Sequence, residues 1–220
     1  MSSGAHSGSG RLLTGVAWAV LMAGLCLWGS DVAGLRGGLS GPATGDVAAV
    51  GRPLDVELPS AHEPLAPARP LRVEVPALKV RAPVSARGLD ADGAIDPPSF
   101  AESDTVGWYG GGTRPGAAGA ALLVGHVDTE TEPAVFYDLS TLHPGEEIEV
   151  TRDDGTVARF TVDDVRVVTR ARFDAKKAYG QYRKGRAELR LITCGGTFDK
   201  SARAYTANVI VSAYLTGVER

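Results

Sequence analysis

Two residues of this chain have side chains and neighbours suited to nucleophilic catalysis, Cys194 and His126. A cysteine nucleophile needs a thiolate, an imidazole that moves protons and a donor for the oxyanion of the tetrahedral intermediate. Cys194 ends an apolar segment and precedes Gly195-Gly196, where the chain must turn and its backbone can approach a substrate closely. His126 also ends an apolar segment. Together the two residues indicate cysteine acyl-transfer chemistry, whereas a single cysteine after a strand is more often an inert core residue.

The cysteine content supports a reactive thiol. Cys26 and Cys194 are the two cysteines of the sequence, and Cys26 lies inside an apolar run, so a disulfide between them is not predicted. Cys194 is therefore expected to be free. Exported domains usually avoid or pair their cysteines, so a free thiol there needs a functional explanation.

Short segments rich in β-branched residues alternate with turn residues from about residue 70 onward, which predicts an antiparallel barrel or sandwich. A short helix is expected at residues 135–142. Strand ends can be neighbours in such a fold while lying far apart in the sequence, so His126 and Cys194 can meet. We expect strands at residues 72–75, 80–84, 120–126, 147–152, 157–162, 188–194 and 208–215.

The N-terminal region predicts a membrane anchor. A polar leader, residues 1–11, ends in Arg11 and precedes an uncharged apolar run, so residues 12–29 are predicted to span the membrane as a helix. The rest of the chain would then be extracytoplasmic. A cleaved signal peptide is the alternative, although no convincing cleavage site follows Trp28 directly.

Residues 30–69 are rich in Gly, Pro and Ala and predict a flexible spacer, which leaves residues 70–220 as one catalytic domain. The formal net charge is -3, and the basic residues form no run or stripe that could neutralise a row of phosphates. Nucleic acid is therefore not an expected partner. No ligand cluster with zinc spacing occurs, so no metal and no other cofactor is expected.

Several spaced motifs resemble those of one enzyme family. Leu191-Ile192-Thr193-Cys194 is similar to the nucleophile signature of sortases, and Leu123-Val124-Gly125-His126-Val127 is similar to their histidine segment. Among sortases, class F of high-GC Gram-positive bacteria is the most similar. The segments that carry this finer likeness are Pro115-Gly116, Gly125-His126-Val127-Asp128, Thr193-Cys194-Gly195-Gly196, Phe198-Asp199, Tyr205 and Asn208-Val209-Ile210-Val211.

The resemblance implies an all-β fold, an eight-stranded β-barrel with short helices. It also implies a transpeptidase in which Cys194 attacks an LPxTG-like sorting signal of a surface protein, forming a thioester that an amine resolves. The expected partners are surface proteins with a C-terminal sorting signal and a cell-wall precursor or other amine acceptor. His126 would move the protons, and Arg203, ahead of the last strand, would fill the family's arginine role. Substrate-binding residues are not predicted.

Two alternatives remain open. The first is another cell-wall cysteine acyl-transferase or hydrolase, such as an L,D-transpeptidase; those enzymes place a Gly-Cys pair in a Ser-His-Gly-Cys-like segment, whereas Thr193 precedes Cys194 here. The second is a non-catalytic, anchored β module that presents a binding surface. The reactivity of the Cys194 thiol discriminates between an enzyme and such a module.

Overall fold

The structure is a computed structural model that describes residues 57–91 and 93–220. The predicted leader and anchor, together with spacer residues 30–56, lie outside the described residues. Within those ranges, no helix is long and apolar enough to cross a membrane.

Eight strands close into a barrel, which confirms the predicted all-β fold. Around the barrel their order is β1-β2-β3-β4-β7-β8-β6-β5. The β2/β3 and β4/β7 pairs are parallel and the other pairs are antiparallel. The strand bounds are β1 Pro70–Val75, β2 Val80–Arg87, β3 Val106–Tyr109, β4 Gly119–Val124, β5 Glu147–Arg152, β6 Val157–Thr169, β7 Ala187–Asp199 and β8 Ala204–Glu219.

Helical structure is short. The α-helix α1 spans Ala175–Tyr179 and begins after Asp174, whose carboxylate accepts hydrogen bonds from the Lys176 and Lys177 backbone N–H groups. Four 3-10 turns complete the set, at Pro76–Leu78, Phe100–Glu102, Leu139–Thr141 and Arg170–Arg172.

The predicted helix at residues 135–142 was wrong, because only Leu139–Thr141 forms a 3-10 turn. The backbone N–H of Val135 donates to the Ser103 carbonyl, and that of Phe136 donates to the His126 carbonyl. These longer-range bonds hold the start of the segment in a non-helical path against the barrel.

Side-chain alternation along β7 separates the core from the outer surface. Leu189 and Leu191 belong to the main hydrophobic core inside the barrel. The alternate positions, Glu188, Arg190, Ile192 and Cys194, therefore lie on the outer face of the strand. This face carries the candidate nucleophile.

Residues 57–69, the last part of the predicted spacer, are bound to the barrel. The His62 backbone N–H donates to the Leu215 carbonyl over 2.8 Å. Arg152, 1% exposed, donates from its guanidinium to the Ala66 carbonyl. These two bonds join residues 57–69 to the barrel, within the range that was expected to be a flexible spacer.

Candidate active site

The register of β4 and β7 brings His126 level with Cys194. The two strands run in parallel with Val124 opposite Ile192, and the Gly125 backbone N–H donates to the Ile192 carbonyl over 3.1 Å. β4 ends at Val124, and the same register continued by two residues puts His126 level with Cys194. Val124 and Ile192 pack together in a cluster outside the main core. Because residues two apart along a strand share a face, His126 and Cys194 belong to the outer face as well.

The His126 ring is held by the connection between β2 and β3. Its Nε2 atom lies 2.7 Å from the Pro98 carbonyl oxygen, so Nε2–H is the donor and Nδ1 takes no part in this bond. The ring also stacks on Phe100, with centroids 4.4 Å apart. Within the described residues, no hydrogen bond joins the imidazole to the Cys194 thiol.

The electrostatic surroundings favour a protonated thiol in this state. Cys194 is a free cysteine with an exposed surface. Partial burial raises the pKa of the Cys194 thiol above its ordinary value, the Arg170 guanidinium lowers that pKa, and the Asp128 carboxylate raises it further. Formation of the thiolate therefore depends on a proton acceptor and on the balance of these two charges.

Asp128 and Tyr205 form a hydrogen-bonded pair beside the thiol. The Tyr205 hydroxyl donates to Asp128 Oδ2, which connects the segment after β4 to the start of β8. Burial and the neighbouring Asp128 carboxylate raise the pKa of Tyr205 to about 12. Tyr205 is therefore a neutral donor at physiological pH, and it keeps the Asp128 charge next to Cys194.

A bulge follows the nucleophile on β7. Cys194 is opposite Asn208 on β8, and the register shifts between Gly195 and Phe198. Gly196 has a φ of +77°, and a Cβ there would lie 2.6 Å from the Thr206 hydroxyl oxygen. Only glycine suits this position, so the Gly-Gly pair allows the strand to bend immediately after the reactive residue.

The connection between β6 and β7, residues 170–186, covers the outer face next to Cys194. Ala178 of α1 packs on Ile192 and Ile210, and Phe173 and Tyr179 border the same cluster. Ile192 precedes Cys194 by two residues on the same face. The connection thus forms a wall of the surface on which the thiol lies.

A buried ionic network fixes the other end of that connection. Glu188 and Arg190, both 0% exposed, form an ion pair of 2.6 Å. Glu188 also accepts hydrogen bonds from the backbone N–H groups of Tyr182 and Arg183. Although burial alone would raise the pKa of Glu188, these donors and Arg190 lower it below the ordinary value.

The structure places Arg203 away from the two other predicted site residues. Arg203 is exposed at the turn between β7 and β8, with a φ of 49°, whereas the partner of Cys194 is Asn208, farther along β8. Its catalytic assignment stays a prediction.

Sequence reasoning did not identify Arg170 or Tyr205 as members of the site. Both lie near Cys194 only through the pairing of β6, β7 and β8. The Tyr205 motif was part of the family resemblance, and this was the one signal in the sequence.

A family model described as a sortase domain matches residues 73–216, which is more than half of the chain. No match to a curated protein sequence was found.

The solved structures of three sortases are similar in fold and distant in sequence. Sortase C1 of GBS pilus island 1 is 17% identical with a TM-score of 0.50, covering 66% of this chain and 63% of that one. Sortase C1 from Streptococcus suis is 18% identical with a TM-score of 0.51, covering 68% and 74%. Sortase A from Corynebacterium diphtheriae is 18% identical with a TM-score of 0.51, covering 70% and 64%. At these identities the likeness establishes the fold alone.

Proposed function

Because this chain belongs to the sortase family, we propose that it is a cysteine transpeptidase that cleaves an LPxTG-like sorting signal and transfers the product to an amine. The observation that carries the proposal is the parallel pairing of β4 with β7, in which Val124 is opposite Ile192, each two residues before His126 or Cys194. An outer barrel surface next to the end of β4 leaves both side chains accessible to a peptide. The motifs around these two residues favour a class F-like enzyme.

In the first half-reaction His126 takes the proton of the Cys194 thiol, and the sulfur attacks the threonyl carbonyl of the sorting signal. A C–S bond forms while the carbonyl π electrons move to oxygen. Collapse of this tetrahedral intermediate breaks the C–N bond, and the imidazolium gives its proton to the departing amine. The product is a thioester on Cys194.

In the second half-reaction an amine attacks the thioester carbonyl and loses a proton to His126. Collapse breaks the C–S bond, forms the new amide and returns the thiolate, which regains the proton. The reaction exchanges one amide for another and needs no oxidant or reductant. Because Nε2–H is bound to the Pro98 carbonyl, Nδ1 is the ring nitrogen that takes and returns these protons.

We also propose that residues 12–29 anchor the enzyme with its catalytic domain outside the cytoplasm. The uncharged apolar run after Arg11 supports this topology. Membrane fractionation of cells expressing the full chain, followed by protease treatment of intact protoplasts, tests it. Soluble full-length protein, or a catalytic domain that resists protease until lysis, would contradict the proposal.

A peptide-cleavage assay tests the enzymatic function. The protein is incubated with a library of sorting-signal peptides, and the mass of the intact protein is followed for a thioester adduct. We expect an adduct on the wild type, its release by an added amine, and no adduct on Cys194→Ala with an unchanged melting temperature. Cleavage by Cys194→Ala, or no adduct with any peptide although the thiol is reactive, would contradict the proposal.

A further inference from the structure

The site described so far contains a nucleophile and a proton carrier but no established cation. Negative charge develops twice in the proposed reaction, on the sulfur and then on the carbonyl oxygen. Arg203 precedes β8 at the turn, and Asn208 is the residue opposite Cys194. At about 3.3 Å per residue, the β8 residues from Ala204 to Asn208 span roughly 13 Å, and Arg203 lies beyond them.

Arg170 reaches the same surface from another strand. Val168 on β6 is opposite Asn208 on β8, and Asn208 is opposite Cys194 on β7, so these residues form a row across three strands. Val168 borders the outer cluster around Ile192. β6 ends at Thr169, and Arg170 begins the 3-10 turn Arg170–Arg172. Arg170 follows Val168 by two residues, so it lies next to the row that contains the thiol.

The position of Arg170 is supported by the packing of the connection that it begins. Phe173 and Ala178 lie against Ile192 and Ile210, and the buried Glu188 holds the backbone of the far end. Both ends of residues 170–186 are thereby attached to the outer face of the barrel. Arg170 therefore lies on a turn that is attached to the barrel, whereas Arg203 lies at the exposed turn between β7 and β8.

Among the described residues, the guanidinium of Arg170 has no carboxylate partner. Its side chain is exposed and forms no hydrogen bond or ion pair with any residue in the part of the chain that the structure describes. By contrast, Arg186 and Arg190 are each bound to buried carboxylates. A guanidinium without a carboxylate partner can donate to a developing oxyanion in a planar fork.

We propose that Arg170 is the cation of the reacting centre and stabilises both the Cys194 thiolate and the oxyanion of the tetrahedral intermediate. The thiolate part is independent of the proposed function, whereas the oxyanion part rests on it. The other groups that face the thiol are Asp128 and His126 from the segment after β4 and Tyr205 from β8. Arg170 is the positive charge that opposes Asp128 and partial burial in setting the pKa of Cys194.

The pH dependence of Cys194 alkylation by iodoacetamide tests the thiolate part. It is measured on the full chain in a Cys26→Ser background, so that one thiol reacts. We expect Arg170→Gln to move the alkylation profile to higher pH, because a charge that lowers the pKa of the thiol is lost. Arg170→Lys should keep most of the wild-type profile. Arg172→Gln, an exposed arginine of the same turn, should leave it unchanged.

Turnover with a cleavable sorting-signal peptide tests the oxyanion part. Arg170→Gln should lose on the order of 10²–10³-fold, as does removal of one oxyanion donor, and Arg170→Lys should recover only part. A wild-type alkylation profile for Arg170→Gln, or a shift confined to Arg203→Gln, would overturn the proposal. Alkylation needs no sorting signal, so a normal Arg170-dependent shift without any peptide cleavage would reject the proposed function and keep the charge assignment.

Discussion

The imidazole of His126 is hydrogen-bonded through Nε2 to the Pro98 carbonyl, 2.7 Å away, while its register places it beside Cys194. The same ring is therefore held by one segment and positioned to serve another. Because Nε2 keeps this bond, Nδ1 is the nitrogen left to exchange a proton with the thiol.

His126→Ala should lose turnover by roughly 10²–10⁴-fold, the contribution of a positioned acid-base group. Steady-state cleavage of a sorting-signal peptide gives the comparison. His143→Ala is the control, because His143 is exposed in a turn and should retain wild-type turnover. Equal turnover in the two variants would remove His126 from the mechanism.

Phe100→Ala should lower the rate of acyl-enzyme formation by about 2- to 10-fold, since one stacked ring pair contributes about 0.5–1.5 kcal/mol and helps to hold the imidazole in place. Phe100 is 66% exposed, so stability should change little. Single-turnover kinetics provides the measurement, with Leu71→Ala as an exposed apolar control. An equal or faster reaction would show that the stacking does not position the imidazole.

Asp128→Asn should shift the alkylation profile of Cys194 to lower pH, because the Asp128 carboxylate raises the pKa of the thiol. The direction is opposite to that expected for Arg170→Gln. The pKa of Tyr205, about 12 in the wild type, should also fall, although only partway, since burial is the larger cause of its shift. Glu130→Gln, on the same segment, controls for a general change in charge. An upward shift for Asp128→Asn would contradict this electrostatic account.

Glu188→Gln should lower the free energy of unfolding by about 3 kcal/mol at neutral pH, because a buried ion pair loses one partner. The pKa of Glu188 is lowered in the folded state, so its contribution is present above the unfolded value of about 4.3 and is lost as the pH falls through the folded value. The difference between the variants should therefore shrink in acid. Chemical denaturation between about pH 3 and 7 measures both the loss of stability at neutral pH and its decrease in acid. Glu147→Gln, in a surface pair with Arg159, should cost less than about 1 kcal/mol.

A chain that begins at residue 70 should be less stable than one that begins at residue 57, by about 3 kcal/mol. The shorter chain loses the hydrogen bond from His62 to Leu215 and leaves the buried Arg152 without the Ala66 carbonyl. Denaturation midpoints of the two fragments give the difference. Identical midpoints would mean that residues 57–69 contribute nothing to the stability of the barrel.

Local sequence features predict much of this barrel. β5, with alternating side chains and a turn after Arg152, has the bounds expected from its sequence, Glu147–Arg152. β3 was not predicted, since four residues that include Gly107 are too short to display alternation. β6 and β8 extend beyond the predicted segments because each pairs with the other along nearly its whole length. That length depends on a distant partner and not on local composition.

The sequence likewise predicts only part of the candidate site. Cys194 and His126 are recognisable because each follows an apolar strand within a motif. The proximity of Arg170 and Asp128 to the thiol arises from strand pairing between segments that are remote in the sequence. Spacing along the chain carries no information on such contacts, and the Arg203 prediction relied on the family resemblance and on the position of Arg203 ahead of the last strand.

The alternation along β7 has a consequence for how a reactive thiol is kept out of the protein interior. Leu189 and Leu191 face the core, and Cys194 is on the opposite face. A slip of one residue in strand pairing would turn Cys194 inward and expose both leucines to water, at a cost of about 1.5–3 kcal/mol for each. The apolar contacts that stabilise the barrel therefore also disfavour the register in which Cys194 would be buried. A chain that folds correctly has its nucleophile on the outer face.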